Sequence, residues 1–259
     1  MSSDSPLPKA CCALAPVTPG AYTPKGTYED MAGMKTYTTG PRDASLAVVF
    51  VYDAFGFTSQ TLQGADLIAA ALPARVFMPD LLDGGMDRAL FPADTPAKQK
   101  LVGDMFGPTG KGDLTRCASH VASMPAQIRA SEPDIASIVA LGLCWGGKVV
   151  VLASNNDSTR SGTAGGFVAS AQAHPSRLAE GDARGLRMPH LVMASRDEDA
   201  VDVRAFEAVD RPAGSVVCTY PDMRHGWMGS RAELDSEEGR DGFRRGYEQF
   251  VGWVKEVVG

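Results

Sequence analysis

Long apolar runs are missing from this chain of 259 residues. No segment approaches the roughly 18 consecutive apolar residues that span a bilayer, so no membrane partner is expected. A surplus of basic charge is missing too. Twenty-five Lys and Arg face 31 Asp and Glu, for a net charge of −6. That balance excludes a general phosphate-binding surface, and nucleic acid is not an expected partner. Histidine is scarce: His120, His174, His190 and His225 are far apart, and no CxxC occurs. Structural zinc is therefore not expected, nor is another metal or cofactor. Internal repeats and low-complexity tracts are absent. The start of the chain shows no apolar stretch behind basic residues, and its end, KEVVG, matches no retention or peroxisomal address. With an odd count of five cysteines (Cys11, Cys12, Cys117, Cys144, Cys218), the expectation is free thiols in a reducing, cytoplasmic compartment. The adjacent Cys11 and Cys12 read as structural or incidental, with metal binding or oxidation as the alternative.

What is present is an ordinary globular composition, 44% apolar and 22% charged, sufficient for a sizeable core. Residues 1–44, rich in Pro, Gly, Ser and Thr, read as an extended arm with a short hairpin around Lys35–Thr39. From residue 45 onward the pattern is a single α/β domain to residue 259. Ala47–Tyr52 is a short, almost wholly apolar run, as expected of a strand buried on both faces. Thr58 and Ser59 cap a helix with apolar Leu62, Ala65, Ile68, Ala69 and Leu72. Further strands are expected at Arg75–Met78, Ser137–Gly142, Gly166–Ala171, His190–Ala194 and Ser215–Tyr220. Helices are expected near Ala97–Met105, after Asp113, over Gly146–Ala153 and over Glu237–Val257. Alternation of this kind implies a mostly parallel sheet with helices on both faces, and reactive groups at the strands' carboxyl ends.

The segment Gly142-Leu143-Cys144-Trp145-Gly146-Gly147 joins an expected strand to an expected helix. It has the G-x-Nuc-x-G form of a nucleophile elbow, with cysteine in the serine position. A nucleophile at such a turn sits in a strained backbone conformation, so the residues two positions away must be small. The helix N-terminus beside Cys144 also favours a thiolate. The bland alternative is a buried structural cysteine in a glycine-rich turn. A base and an acid must follow in the order nucleophile, acid, histidine. His225 lies between the last strand and the last helix, where the base belongs. His190 begins a strand and reads as structural. His174 sits past a strand end and reads as a pocket residue, since as base it would precede the acid. The acid belongs after the strand at 190–194, where Asp197, Glu198 and Asp199 offer three carboxylates. Asp197 is the expected acid because it comes soonest, with Asp199 as the alternative, and any of the three can be a solvated loop charge. The oxyanion hole is expected at the backbone N–H groups of Trp145 and of Ala54, in the loop after the first core strand; the Trp145 ring is expected only to pack.

Taken together, Cys11-Cys12 with Pro24-Lys25-Gly26, the segment Tyr52-Asp53-Ala54-Phe55-Gly56-Phe57, the GLCWGG elbow and His225-Gly226-Trp227 resemble the dienelactone hydrolase family in its fungal forms. The resemblance runs from about Ala10 to the C-terminal helix. It implies an α/β-hydrolase fold, Cys144 as nucleophile, His225 as base and Asp197 as orienting acid. It also implies that Asp53, standing where many relatives carry Glu, takes part in activating the thiol. Read by itself, Asp53 is equally a loop aspartate accepting backbone hydrogen bonds. Phe55 and Trp227 are further pocket candidates. Family members that cleave dienelactones hold the substrate carboxylate with arginines, one shortly after the catalytic histidine. Here the stretch is Trp227-Met228-Gly229-Ser230-Arg231, and Arg231 fits that place only with a shifted register; otherwise it is a surface residue.

The activity so implied is hydrolysis of a small ester or lactone through an acyl-enzyme, by a protein that is either a monomer or a homodimer. A tailoring enzyme of secondary metabolism, using the same triad for lactonisation, transesterification or carbon–carbon cleavage, is the main alternative. Product analysis separates the two. A thiol redox protein would need a resolving cysteine near Cys144, which the spacing does not offer. A catalytically dead binding module would have no reason to keep Cys, Asp and His in that order.

Overall fold

The computed structural model describes residues 20, 22–156 and 166–259; Cys11 and Cys12 lie outside them. One sheet of eight strands organises the chain in the order β1-β2-β4-β3-β5-β6-β7-β8. The strands are β1 (Thr27–Met31), β2 (Met34–Thr39), β3 (Leu46–Val51), β4 (Ala74–Pro79), β5 (Ser137–Leu143), β6 (Ala169–Ala173), β7 (His190–Ser195) and β8 (Val216–Tyr220). From β4 through β8 neighbouring strands run parallel, whereas β1–β2 and β2–β4 are antiparallel. The helices are α1 (Ser59–Ala71), α2 (Pro96–Phe106), α3 (Leu114–Ser131), α4 (Trp145–Ser154), α5 (Glu180–Gly185), α6 (Ala200–Glu207) and α7 (Glu237–Val258). Among the described residues, no helix is long and apolar enough to cross a membrane.

Every residue of β3 and β4 is buried; β3 is an unbroken apolar run, as a central parallel strand requires, and the charge in β4, Arg75, is paired with Glu132 and Glu29. Successive residues point to opposite faces of a strand. The Phe50 ring meets Tyr247 of α7, while the next residue, Val51, backs onto Gly146 of α4. Helices therefore cover both faces. Thr58 caps α1 through a capping box with Thr61, and Asp113 caps α3 by accepting from Arg116 N–H. Phe243, Tyr247, Phe250, Val251 and Val254 form the buried stripe of α7.

Two expectations change. The supposed arm contains a full hairpin, β1–β2, that extends the main sheet through β4. Tyr37, wholly buried, donates to Asp66 of α1 at 2.8 Å, and Tyr22 donates to the same carboxylate at 2.7 Å. Polar β1 was unreadable as a strand because it is an edge, half exposed. The strand expected at Gly166–Ala171 lies instead at Ala169–Ala173. Phe167 is buried on the way in, so its apolarity marks the core without marking the strand. The later register puts His174 directly at the carboxyl end of β6. His190 sits inside the sheet, where Gln172 Nε2–H donates to its Nε2 at 3.0 Å. Its Nδ1–H therefore donates to Ser170 Oγ, at 2.7 Å. Burial first, then Arg211, lower the pKa of this imidazole to about 3. It is a structural, neutral histidine.

Candidate active site

Cys144 ends the turn from β5 into α4 with φ 53° and ψ −116°, a conformation that strains any residue bearing a Cβ. The flanking glycines show what holds it there. A Cβ on Gly142 would lie 2.1 Å from the Gly146 carbonyl oxygen, and one on Gly146 would lie 2.4 Å from that of Tyr52. The elbow is pinned from outside as well: Cys144 N–H donates to Ala173 O at 3.0 Å, and Ser176 N–H donates to Cys144 O at 3.1 Å.

His225 Nε2 lies 3.1 Å from Cys144 Sγ. Its Nδ1–H donates to Glu198 Oε1 at 2.7 Å. The expectation that Asp197 orients the ring is thus corrected to Glu198. Asp197 Oδ2 accepts the backbone N–H of His225 at 2.8 Å, so it holds the loop and leaves the imidazole to its neighbour. Asp199, the alternative, accepts from Val201 N–H at 2.7 Å and caps α6. Burial separates the candidates: the Glu198 side chain is 5% exposed and that of Asp197 36%. A bond from Ser195 N–H to the second oxygen of Glu198 completes its anchoring. Burial opposes charge on His225. The Cys144 charge and hydrogen bond, followed by those of Glu198, outweigh it and raise the pKa to about 9.

Asp53 is buried and accepts three hydrogen bonds. Phe55 N–H donates at 3.0 Å, Ser230 N–H at 2.7 Å and Ser230 O–H at 2.5 Å. Its carboxylate therefore clamps the loop after β3 to the loop after His225. Burial and the nearby Cys144 charge raise its pKa, against the Ser230 and Phe55 donors. Nothing local to residue 230 in the sequence announces this partner, 177 positions away.

A cleft above Sγ is lined by Asp53, Ala54, Phe55, Phe91, Val102, Phe106, Cys144, Trp145, Ser176, His225, Gly226 and Arg231. Trp145 is the first residue of α4, so its N–H has no carbonyl a turn earlier to bond, and the ring itself packs, donating to Gly112 O at 3.0 Å. Arg231 is 4% exposed, its guanidinium 5.6 Å from the Phe55 ring centre. The surface reading of Arg231 is corrected: Gly226, at φ 96°, brings its Cα against the Arg231 stem and lets the side chain turn inward. His174 and Trp227 do not line this cleft. His174 stacks edge-on behind His225, ring centres 5.1 Å apart, and against Trp227 at 5.2 Å. Burial first, then the His225 and Arg231 charges, hold its pKa well below that of a free imidazole. Trp227 borders a neighbouring polar cavity of ≈ 210 Å³ with Arg196, Arg224 and Glu233. Phe91, Val102 and Phe106 were not singled out from the sequence; their only signal was apolarity within a polar, loop-like stretch.

A sequence model of the dienelactone hydrolase family matches residues 34–258. An uncharacterized AIM2 family protein of Schizosaccharomyces pombe is 33% identical over 258 residues, covering 96% of this chain and 99% of that one. The hydrolase tropI of Talaromyces stipitatus is 25% identical over 263 residues, covering 96% of each. Among solved structures, a dienelactone hydrolase from Anabaena variabilis superposes with a TM-score of 0.62 at 13% identity, covering 91% of this chain and 98% of its own. A monoglyceride lipase from Saccharomyces cerevisiae reaches 0.61 at 11% identity, covering 93% and 99%. At such identities the structural likeness speaks for the fold, which is that of the α/β-hydrolases.

Proposed function

Since the chain belongs to the dienelactone hydrolase family, we propose that it hydrolyses carboxylic esters or lactones through a Cys144–His225–Glu198 triad. The observation that carries this reading is the unbroken line of contacts from Sγ to Nε2 at 3.1 Å and from Nδ1–H to Glu198 at 2.7 Å, on a strained elbow. A redox or purely binding protein would not require that alignment.

In the proposed reaction the Cys144 thiolate attacks the carbonyl carbon. A carbon–sulfur bond forms, and the carbonyl π pair moves to oxygen. The N–H groups of Trp145 and Ala54 receive that oxyanion. Collapse expels the alkoxide, which takes the proton of the His225 imidazolium, and leaves a thioester. His225 then removes a proton from water, the hydroxide attacks the thioester, and the acid departs as the thiolate is restored. Glu198 holds the imidazole in the required tautomer and stabilises its charge. The apolar walls Phe55, Phe91 and Phe106 suit an acyl group that is apolar along its length.

The test uses 4-nitrophenyl acetate and an enol lactone, with intact-mass measurement during turnover. The wild type should show an acetyl adduct on Cys144, and Cys144→Ala should lose about 10⁴-fold or more in kcat/KM. Full hydrolysis by Cys144→Ala would sink the proposal.

A further inference from the structure

Helix α2 buries two of its eleven residues, Val102 and Phe106. Both are walls of the cleft above Cys144. Of the rest, Lys98 and Met105 are half-buried, Met105 against the core, and the others are exposed, Leu101 at 52%. Its polar contacts stay close along the chain: Thr95 caps it by accepting from Lys98 N–H, Lys98 Nζ donates to Pro92 O, and Gln99 Nε2 donates to Ala93 O. At the other end Gly112 N–H donates to Met105 O, and the Trp145 indole holds Gly112 O. The helix is thus attached to the domain chiefly through the two side chains that close the site, helped by half-buried Met105 and the Gly112 tie. An element with so few buried apolar contacts belongs to the low-stability end of a fold.

The cleft itself is nearly full. Its cavity volume is ≈ 20 Å³, about what one water needs. Phe106 packs toward Trp145, ring centres 5.8 Å apart, and Phe91 meets Phe55 edge-on at 4.8 Å. Trp145 belongs to the elbow and Phe55 to the clamped loop after β3, so neither can give way without disturbing the catalytic frame. Val102 and Phe106, on a lightly held helix, can.

We propose that α2 is the size gate of this site: Phe106 and Val102 determine how large a group reaches Cys144, and α2 yields to admit it. The proposal rests on the reading of Cys144 as an accessible nucleophile, and its test separates the two. Cys144 is alkylated with iodoacetamide and, in parallel, with the bulkier N-phenylmaleimide, and each rate is read at the Cys144 peptide by mass spectrometry so that the other thiols do not interfere. Phe106→Ala should raise the bulky-to-small rate ratio by about tenfold or more, the effect of changing a few methylene-sized groups in an apolar pocket. Val102→Phe, which narrows the gate without opening a cavity, should lower it. Leu101→Ala, on the exposed side of the same helix, should leave it where the wild type has it. An unchanged ratio in Val102→Phe, or in a folded Phe106→Ala, overturns the gate. Shifted alkylation ratios in a protein that hydrolyses no ester would keep the gate and remove the hydrolase reading; ester hydrolysis with unshifted ratios would do the reverse.

Discussion

Glu198 and Asp197 are adjacent, and their carboxylates take two different donors of one histidine. Glu198 takes the ring N–H and Asp197 the backbone N–H. Replacing Glu198 with Gln leaves a group of the same size that carries no charge to balance the imidazolium and can present its amide to Nδ1 in the wrong sense. Glu198→Gln should cut kcat/KM on 4-nitrophenyl acetate by on the order of 10²–10⁴-fold. Asp197→Asn should cost far less, because its carbonyl can still accept from His225 N–H; equal losses in both variants would refute the assignment. The His225 pKa has a second consequence. Its folded value is raised from 6.5 to about 9, so the charged pairing contributes stability that is lost as pH climbs from 6.5 through 9. Urea midpoints for the wild type should fall across that window relative to Cys144→Ala. The kcat/KM should fall over its upper part, as the imidazolium that protonates the leaving group disappears.

At the scale of elements, the elbow is a contact between backbones. The missing Cβ of Gly146 lets α4 sit against the carbonyls of Tyr52 and Val51, 2.4 and 2.5 Å from where that atom would be. Backbone at the centre of a sheet cannot move aside as a side-chain tip can. Gly146→Ala should therefore destabilise by about 2–3 kcal/mol, measured by urea unfolding, and lose activity even at temperatures where it remains folded. A neutral substitution there would mean that the elbow tolerates another geometry. The same demand is what made the elbow legible. Small residues on both sides of a nucleophile, between an apolar strand and an apolar helix, form a local pattern, and the structure reproduces it with α4 running over Trp145–Ser154. Helices α5 and α6 were not legible. Six and eight residues long, they are too short to show an amphipathic period.

For the whole molecule, the N-terminal hairpin is the element whose weight was underestimated. β2 pairs with β4 from Thr36 to Thr39, and Thr36, Tyr37 and Thr38 are wholly or almost wholly buried. Removing residues 1–40 should leave β4 as an unpaired edge and expose Phe77 and Met78, which are buried in the intact fold. The shortened chain should aggregate when expressed, as judged by size-exclusion chromatography. A soluble, monodisperse product with an unaltered urea midpoint would show that the hairpin is an appendage after all.

Sequence by itself determined the sheet class, the elbow at Cys144 and the loop that carries His225, because each follows from a pattern within a dozen residues: periodicity, small residues beside a strained turn, position between strand and helix. Tertiary structure alone decided which of three neighbouring carboxylates meets the imidazole, that Ser230 rather than the thiol occupies the oxygens of Asp53 with Phe55, that Arg231 turns inward, and that Val102 and Phe106 close the cleft. Those outcomes depend on how loops from distant strand ends are aligned across the sheet edge. A shift of one residue between the loops at 195–199 and 224–231 would exchange the partners while leaving every local pattern unchanged.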